Sequence, residues 1–76
     1  MTFDKVKEVI VDTLGCDEDA VILTAGLKED LNADSLDAVE LSMALEEAFG
    51  LTIADEDLME FVTVKDIVDY IDKNLA

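Results

Sequence analysis

The chain has 76 residues, 51% of them hydrophobic and 5% aromatic, with 20 acidic against 5 basic side chains and a formal charge of -15. That size holds a single domain, near the limit at which an apolar core outweighs chain entropy, and that charge excludes a nucleic-acid binder, which needs Lys and Arg to neutralise phosphates. With no histidine in the chain, the usual general base for a serine or cysteine nucleophile is missing, and a hydrolase is the weakest reading.

The same acidity disfavours a stable association with anionic membranes. It points to a protein partner carrying a basic patch, since complementary potentials raise encounter rates; plain solvation of a highly charged surface is the alternative. Self-repulsion should leave the fold loose at low ionic strength, and salt or divalent cations should tighten it. The only cysteine, Cys16, cannot form an internal disulfide and gives no sign of an oxidising compartment or a structural zinc site. Positions 1 to 15 carry Asp4, Lys5, Lys7, Glu8 and Asp12, unlike a secretory signal, and no run approaches the about 20 apolar residues of a membrane span. A cytoplasmic location is expected.

In chain order, Thr2 reads as the N-cap of a first amphipathic helix in which Phe3, Val6, Val9, Ile10 and Leu14 recur at helical spacing until Gly15. From Cys16 to Ala33 the period breaks. Val21-Ile22-Leu23 reads either as a short strand, for which Leu51-Thr52-Ile53 is the only partner, or as part of a long loop that tucks apolar side chains under the helices; the loop is preferred because an isolated strand pair is hard to stabilise. A second helix runs from Asp34 or Ser35, either a good cap, to Phe49, where Gly50 stops it. At about 100° per residue its apolar side chains divide between two faces. Ala38, Leu41, Leu45, Ala48 and Phe49 form a core stripe. Leu36, Val39 and Met43 form a second stripe bordered by Glu40, Glu46 and Glu47, a pattern that suits a docking surface.

A short acidic helix of about two turns is expected over Ala54 to Phe61. A last helix starts at Thr63, which has the capping-box spacing to Asp66, and buries Val64, Ile67, Val68, Ile71 and Leu75. The expected fold is all-α: a small bundle of three main helices and one short helix with a long first loop, in one domain over residues 1–76.

Two acidic constellations do not form sites on this pattern. Asp30, Asn32 and Asp34 alternate as in an EF-hand loop, but Ser35 takes the place of the turn glycine and Leu41 that of the bidentate glutamate. Paired carboxylates for glycoside chemistry lack a cleft in a bundle of this size. Ser35 has two readings. It is a helix cap, or, with Asp34 capping in its place and Asp37 adding charge to the first turn, it keeps a free hydroxyl beside the docking stripe. A phosphodiester on that hydroxyl would be partly offset by the helix dipole.

Leu31-Asn32-Ala33-Asp34-Ser35-Leu36-Asp37, then Val39-Glu40-Leu41 and Met43-Ala44-Leu45-Glu46-Glu47-Ala48-Phe49, resemble the acyl carrier proteins of bacterial fatty acid synthesis, and the likeness extends over nearly the whole chain. The resemblance implies that Ser35 receives 4′-phosphopantetheine from coenzyme A through a separate phosphopantetheinyl transferase. It implies a monomeric, non-catalytic carrier whose arm bears acyl chains as thioesters, whose interior shelters them, and which delivers them to the enzymes of fatty acid biosynthesis. Leu36, Val39 and Met43 would then enter an apolar depression on each partner enzyme while Asp34, Asp37, Glu40, Glu46 and Glu47 meet its basic residues. Three positions depart from the family. Asn32 replaces a usual Gly and should keep a positive φ; Ala54 replaces a frequent Pro. Ser42 replaces an aliphatic residue, either polarising the interior lining or bonding back to the Ala38 carbonyl. A polyketide or aminoacyl carrier is the nearest rival. An acidic binding module with unmodified Ser35 is the rival from another class, distinguished by whether coenzyme A and a transferase add mass.

Overall fold

The computed structural model describes residues 2–75. Four α-helices are connected in the order α1 (Thr2–Leu14), α2 (Ser35–Phe49), α3 (Asp55–Leu58) and α4 (Val64–Leu75), with one turn of 3-10 helix at Glu18–Ala20, and no strand forms among the described residues. The expected all-α bundle is the observed one. α1 packs against both α2 and α4, and the side chains at the centre are Val6 and Ile10 of α1, Leu41 and Leu45 of α2, and Val64, Ile67, Val68 and Ile71 of α4. These recur at three- and four-residue spacing, so each helix presents one apolar stripe to the same interior. No described helix is long and apolar enough to cross a membrane.

The first helix differs from expectation at its start. Thr2 already lies inside α1, and its hydroxyl, instead of capping, donates to a carboxylate oxygen of Asp72. That bond joins the beginning of the chain to α4. Gly15, at φ +67°, closes α1 in the left-handed conformation that a residue with a Cβ resists.

The long segment between α1 and α2 is a loop, and only part of it tucks inward. Val21 is buried, but Ile22 and Leu23 are about half exposed. The run makes no strand because its neighbour is the start of α4: the Lys65 N–H donates to the Leu23 carbonyl at 3.0 Å, Val64 N–H to Ala25 at 3.0 Å, and Leu27 N–H to Val62 at 2.8 Å. These bonds satisfy backbone groups at the helix start and in the loop together. An isolated antiparallel bridge between Gly26 and Thr63 is all the sheet character that results. Ala25, Leu27, Leu31 and Ala33 then supply the inward side chains.

α3 has one turn, shorter than the two expected to Phe61. Its three leading acids suit a helix N-terminus, but beyond Met59 the chain is taken by tertiary contacts: Phe61 sets its ring edge-on against Tyr70 at 5.3 Å, and the Val62 carbonyl is the acceptor for Leu27. Ala54, the residue before α3, adopts φ -69° and ψ 145°, the backbone a proline would impose, so the turn forms without one. α4 starts as its spacing requires. Asp66 Oδ2 accepts from the N–H groups of Val62 at 2.9 Å and Thr63 at 3.0 Å, and Asp66 N–H donates to the Thr63 hydroxyl at 3.3 Å. The first two bonds hold the Asp66 carboxyl below the usual carboxylate range. Leu75, expected in the buried stripe, is half exposed.

Candidate functional site

The site is built by the turn that delivers the chain into α2. Leu31 and Ala33 are both buried, and Asn32 between them takes φ +57°, the positive value expected where the resembled family has glycine. Asn tolerates this region better than other residues with a Cβ. Asp34 follows as the N-cap. Its Oδ1 accepts from the Asp37 N–H at 2.9 Å, and the Asp37 Oδ2 accepts from the Asp34 N–H at 3.2 Å, a reciprocal capping box made with two aspartates. The Asp34 carbonyl takes the Ala38 N–H at 2.9 Å.

Of the two residues that competed for the cap, Asp34 holds it. Ser35 is the first residue of α2, is exposed, and its hydroxyl makes no hydrogen bond among the described residues. The peptide N–H groups at this end of α2 and the dipole behind them give the Ser35 surroundings a positive component inside an otherwise acidic region.

Beside Ser35 opens a cavity of about 540 Å³, within the size range of small-molecule sites. It lies between α2 and α3 and reaches α4: Ala38, Leu41, Leu45, Leu58, Phe61 and Ile67 form its apolar wall, and Ser35 and Lys28 stand in it where it meets the surface. Ser42 is in the same wall. Its hydroxyl bonds back to the helix, as one reading of the sequence had it, but to Val39 O at 2.7 Å and not to Ala38. A serine Oγ on a helix can reach the carbonyl three or four residues earlier, and side-chain torsion selects between them.

Leu36 is 75% exposed, Met43 61% and Val39 49%, so these three form an uncovered row along α2, with Val39 also at the edge of the cavity. Glu40 and Glu47 are exposed beside it, and Asp37 is half-buried. Glu46 is also half-buried and does structural work as well. Its Oε2 accepts the Ile53 N–H at 2.8 Å, fixing the segment that leads to α3 and leaving one carboxylate oxygen uncommitted. Two members of this surface were not expected from the sequence. Met59 and Val62, 85% and 64% exposed, also line the cavity from the far side. Their signal is the one that marks Leu36, Val39 and Met43, apolar residues lying off the buried stripe, but both lie beyond the single turn of α3, where no helical period displays it.

Among the described residues no three His, Cys, Asp or Glu side chains are gathered to hold a metal ion. Asp30, the first acid of the alternating Asp30-Asn32-Asp34 set, instead accepts the Gly26 N–H at 2.6 Å, closing the loop turn.

The family model described as "Phosphopantetheine attachment site" matches residues 4–71. The chain is 52% identical over 73 residues to an acyl carrier protein of Petrotoga mobilis, covering 96% of this chain and 86% of the relative. It is 49% identical over 73 residues to an acyl carrier protein of Thermosynechococcus vestitus, covering 96% and 90%, and 52% identical over 71 residues to one of Campylobacter jejuni, covering 93% and 92%. The family match and the near full-length identity together place the chain among the acyl carrier proteins of the phosphopantetheine-attachment family.

Proposed function

We propose that this protein is a non-catalytic carrier of acyl chains in fatty acid synthesis, with 4′-phosphopantetheine joined through a phosphodiester to Ser35 Oγ. The observation that carries the attachment reading is the division of labour at the head of α2. Asp34 and Asp37 complete the cap between themselves, so the exposed Ser35 hydroxyl has no structural bond to lose on becoming an ester. The residues fit the group: Ser35 supplies the nucleophilic oxygen, the first N–H groups of α2 stabilise phosphodiester charge, and the adjoining cavity has room for an acyl chain. When bound, the arm supplies the thiol that bears the acyl group, and Cys16 plays no part in carrying it.

This chain's residues then position, shelter and present. The wall formed by Leu41, Leu45, Leu58 and Ile67 takes apolar cargo out of water at about 0.8 kcal/mol for each buried methylene. Leu36, Val39 and Met43 enter an apolar depression on a partner enzyme, the phosphopantetheinyl transferase included, while Asp34, Asp37, Glu40, Glu46 and Glu47 meet Lys or Arg there. Charge steering with a small apolar anchor favours fast exchange. The carrier acts as a monomer in the cytoplasm.

Intact mass after incubation with coenzyme A and a transferase tests attachment: the wild-type chain gains one phosphopantetheine and Ser35→Ala gains nothing. Equal modification of both would overturn the assignment to Ser35. Met43→Ala and Glu40→Lys test the docking face, and both are expected to slow acyl delivery to a partner enzyme with the fold intact by circular dichroism. Unchanged turnover in both would mean that another face docks.

A further inference from the structure

Ser42 is the one buried polar side chain among the described residues, and it stands in the cavity wall. Its proton is committed, because Oγ–H donates to Val39 O at 2.7 Å. A hydroxyl carries one donor and two acceptor positions, so what Ser42 offers an occupant of the cavity is an acceptor. The other polar residues of the wall, Lys28, Glu29, Asp34 and Ser35, are all exposed and act at the surface. Ser42 is buried and shares the cavity wall with the apolar Ala38, Leu41, Leu45 and Ile67.

An acceptor in apolar surroundings discriminates between cargoes. An acyl chain that brings an O–H is paired by Ser42 with the Val39 bond kept, a saturated chain leaves the Ser42 oxygen without a partner for its lone pairs, and an oxo group is paired only if the Ser42 proton leaves Val39 O. We infer that Ser42 is a specificity-determining residue that favours the shelter of hydroxylated acyl chains in this cavity. The inference rests on the carrier reading and names the class of cargo that the interior is built to tolerate.

The test uses the holo protein, its loading verified by mass, carrying octanoyl, 3-hydroxyoctanoyl, 7-hydroxyoctanoyl or 3-oxooctanoyl thioesters. Shelter is read as slowing of thioester exchange with excess dithiothreitol, relative to the N-acetylcysteamine thioester of the same acyl group. In Ser42→Ala the protection of a hydroxylated chain relative to octanoyl is expected to fall about fivefold, the equivalent of one net hydrogen bond of about 1 kcal/mol. Ser42→Thr, which keeps the hydroxyl, should retain the wild-type ratio. A structural role alone would move all four cargoes together and leave that ratio unchanged. The inference is overturned if neither hydroxylated chain loses relative protection in Ser42→Ala, or if the 3-oxo chain loses as much as they do. Protection of octanoyl without any hydroxyl effect would remove this inference and leave the carrier reading standing. Absence of loading at Ser35, or of protection for every cargo, would remove the attachment or the shelter on which it rests, and the inference with it.

Discussion

Replacing Ser42 by valine should stabilise the fold. Ser42 is 7% exposed, and its hydroxyl makes a single bond, to Val39 O. Valine puts two methyl groups where the hydroxyl stood, worth about 1.6 kcal/mol at ~0.8 kcal/mol for each buried carbon. The lost hydrogen bond opposes this by about 0.5 to 1.5 kcal/mol. The low end applies, because the Val39 carbonyl lies inside α2 and keeps its helical partner, and back-bonding of this kind slightly weakens a helix. Serine and valine have similar helix propensity, and the place of Ser42 in the cavity wall lets the added methyl be accommodated with less overpacking than in a filled core. The net expectation is about 1 kcal/mol of stabilisation, which in a domain of this size raises Tm by roughly 4–8 °C. Thermal unfolding of the apo protein followed by circular dichroism measures it. A Tm that is unchanged or lowered would refute the reasoning and show that the hydroxyl anchors α2 more strongly than a satisfied carbonyl allows.

Four further outcomes are expected. Asn32→Ala should destabilise by about 1–2 kcal/mol in urea unfolding because the position is left-handed, while Asn32→Gly should be nearly neutral or slightly stabilising. Glu46→Ala should cost about 1–3 kcal/mol by orphaning the part-buried Ile53 N–H, with Glu46→Gln less harmful because an amide oxygen still accepts; equal losses would show that charge and not the hydrogen bond matters. The Asp66 carboxyl titrates lower in the folded chain than in the unfolded one, so its contribution is complete above the ordinary carboxylate pKa and disappears as pH falls through the folded value. Asp66→Asn should therefore be most harmful near neutrality, with the difference from wild type, read as Tm across a pH series, shrinking in acid. Finally, Tm should rise with added KCl from ~10 mM to ~150 mM, since the Debye length falls from about 30 Å to about 8 Å across a molecule whose longest extent is 28 Å, and a salt-independent Tm would mean that the net charge of -15 is not felt as self-repulsion.

Much of the candidate site was legible because its signals are local. The Asp34-Ser35 start and the Thr63–Asp66 cap are each decided by side-chain and backbone groups within a few residues, where chain chemistry leaves few options, while the Asn32 turn was expected from the glycine that the resembled family has there. The exposed row on α2 was readable for another reason. A helix of 15 residues shows its period clearly enough for Leu36, Val39 and Met43 to separate from the core stripe. Where the element is short or its partner remote, that signal fails. Met59 and Val62 had no period to stand out from, the placement of Phe61 depended on Tyr70, and the fate of Thr2 depended on Asp72, 70 positions away.

The sequence by itself determined three long amphipathic helices, the cap of the last one, an acidic surface and a helix start at Asp34 or Ser35, because these follow from spacing, local hydrogen bonds and summed charge. Only the tertiary structure decided that the first loop is fastened to the start of α4, that Glu46 holds the Ile53 backbone, and that a cavity reaches the surface beside Ser35 with one hydroxyl in its wall. Those features arise where separate elements meet, and the space and bonding left between packed helices are properties of their mutual placement, which no single segment's pattern contains.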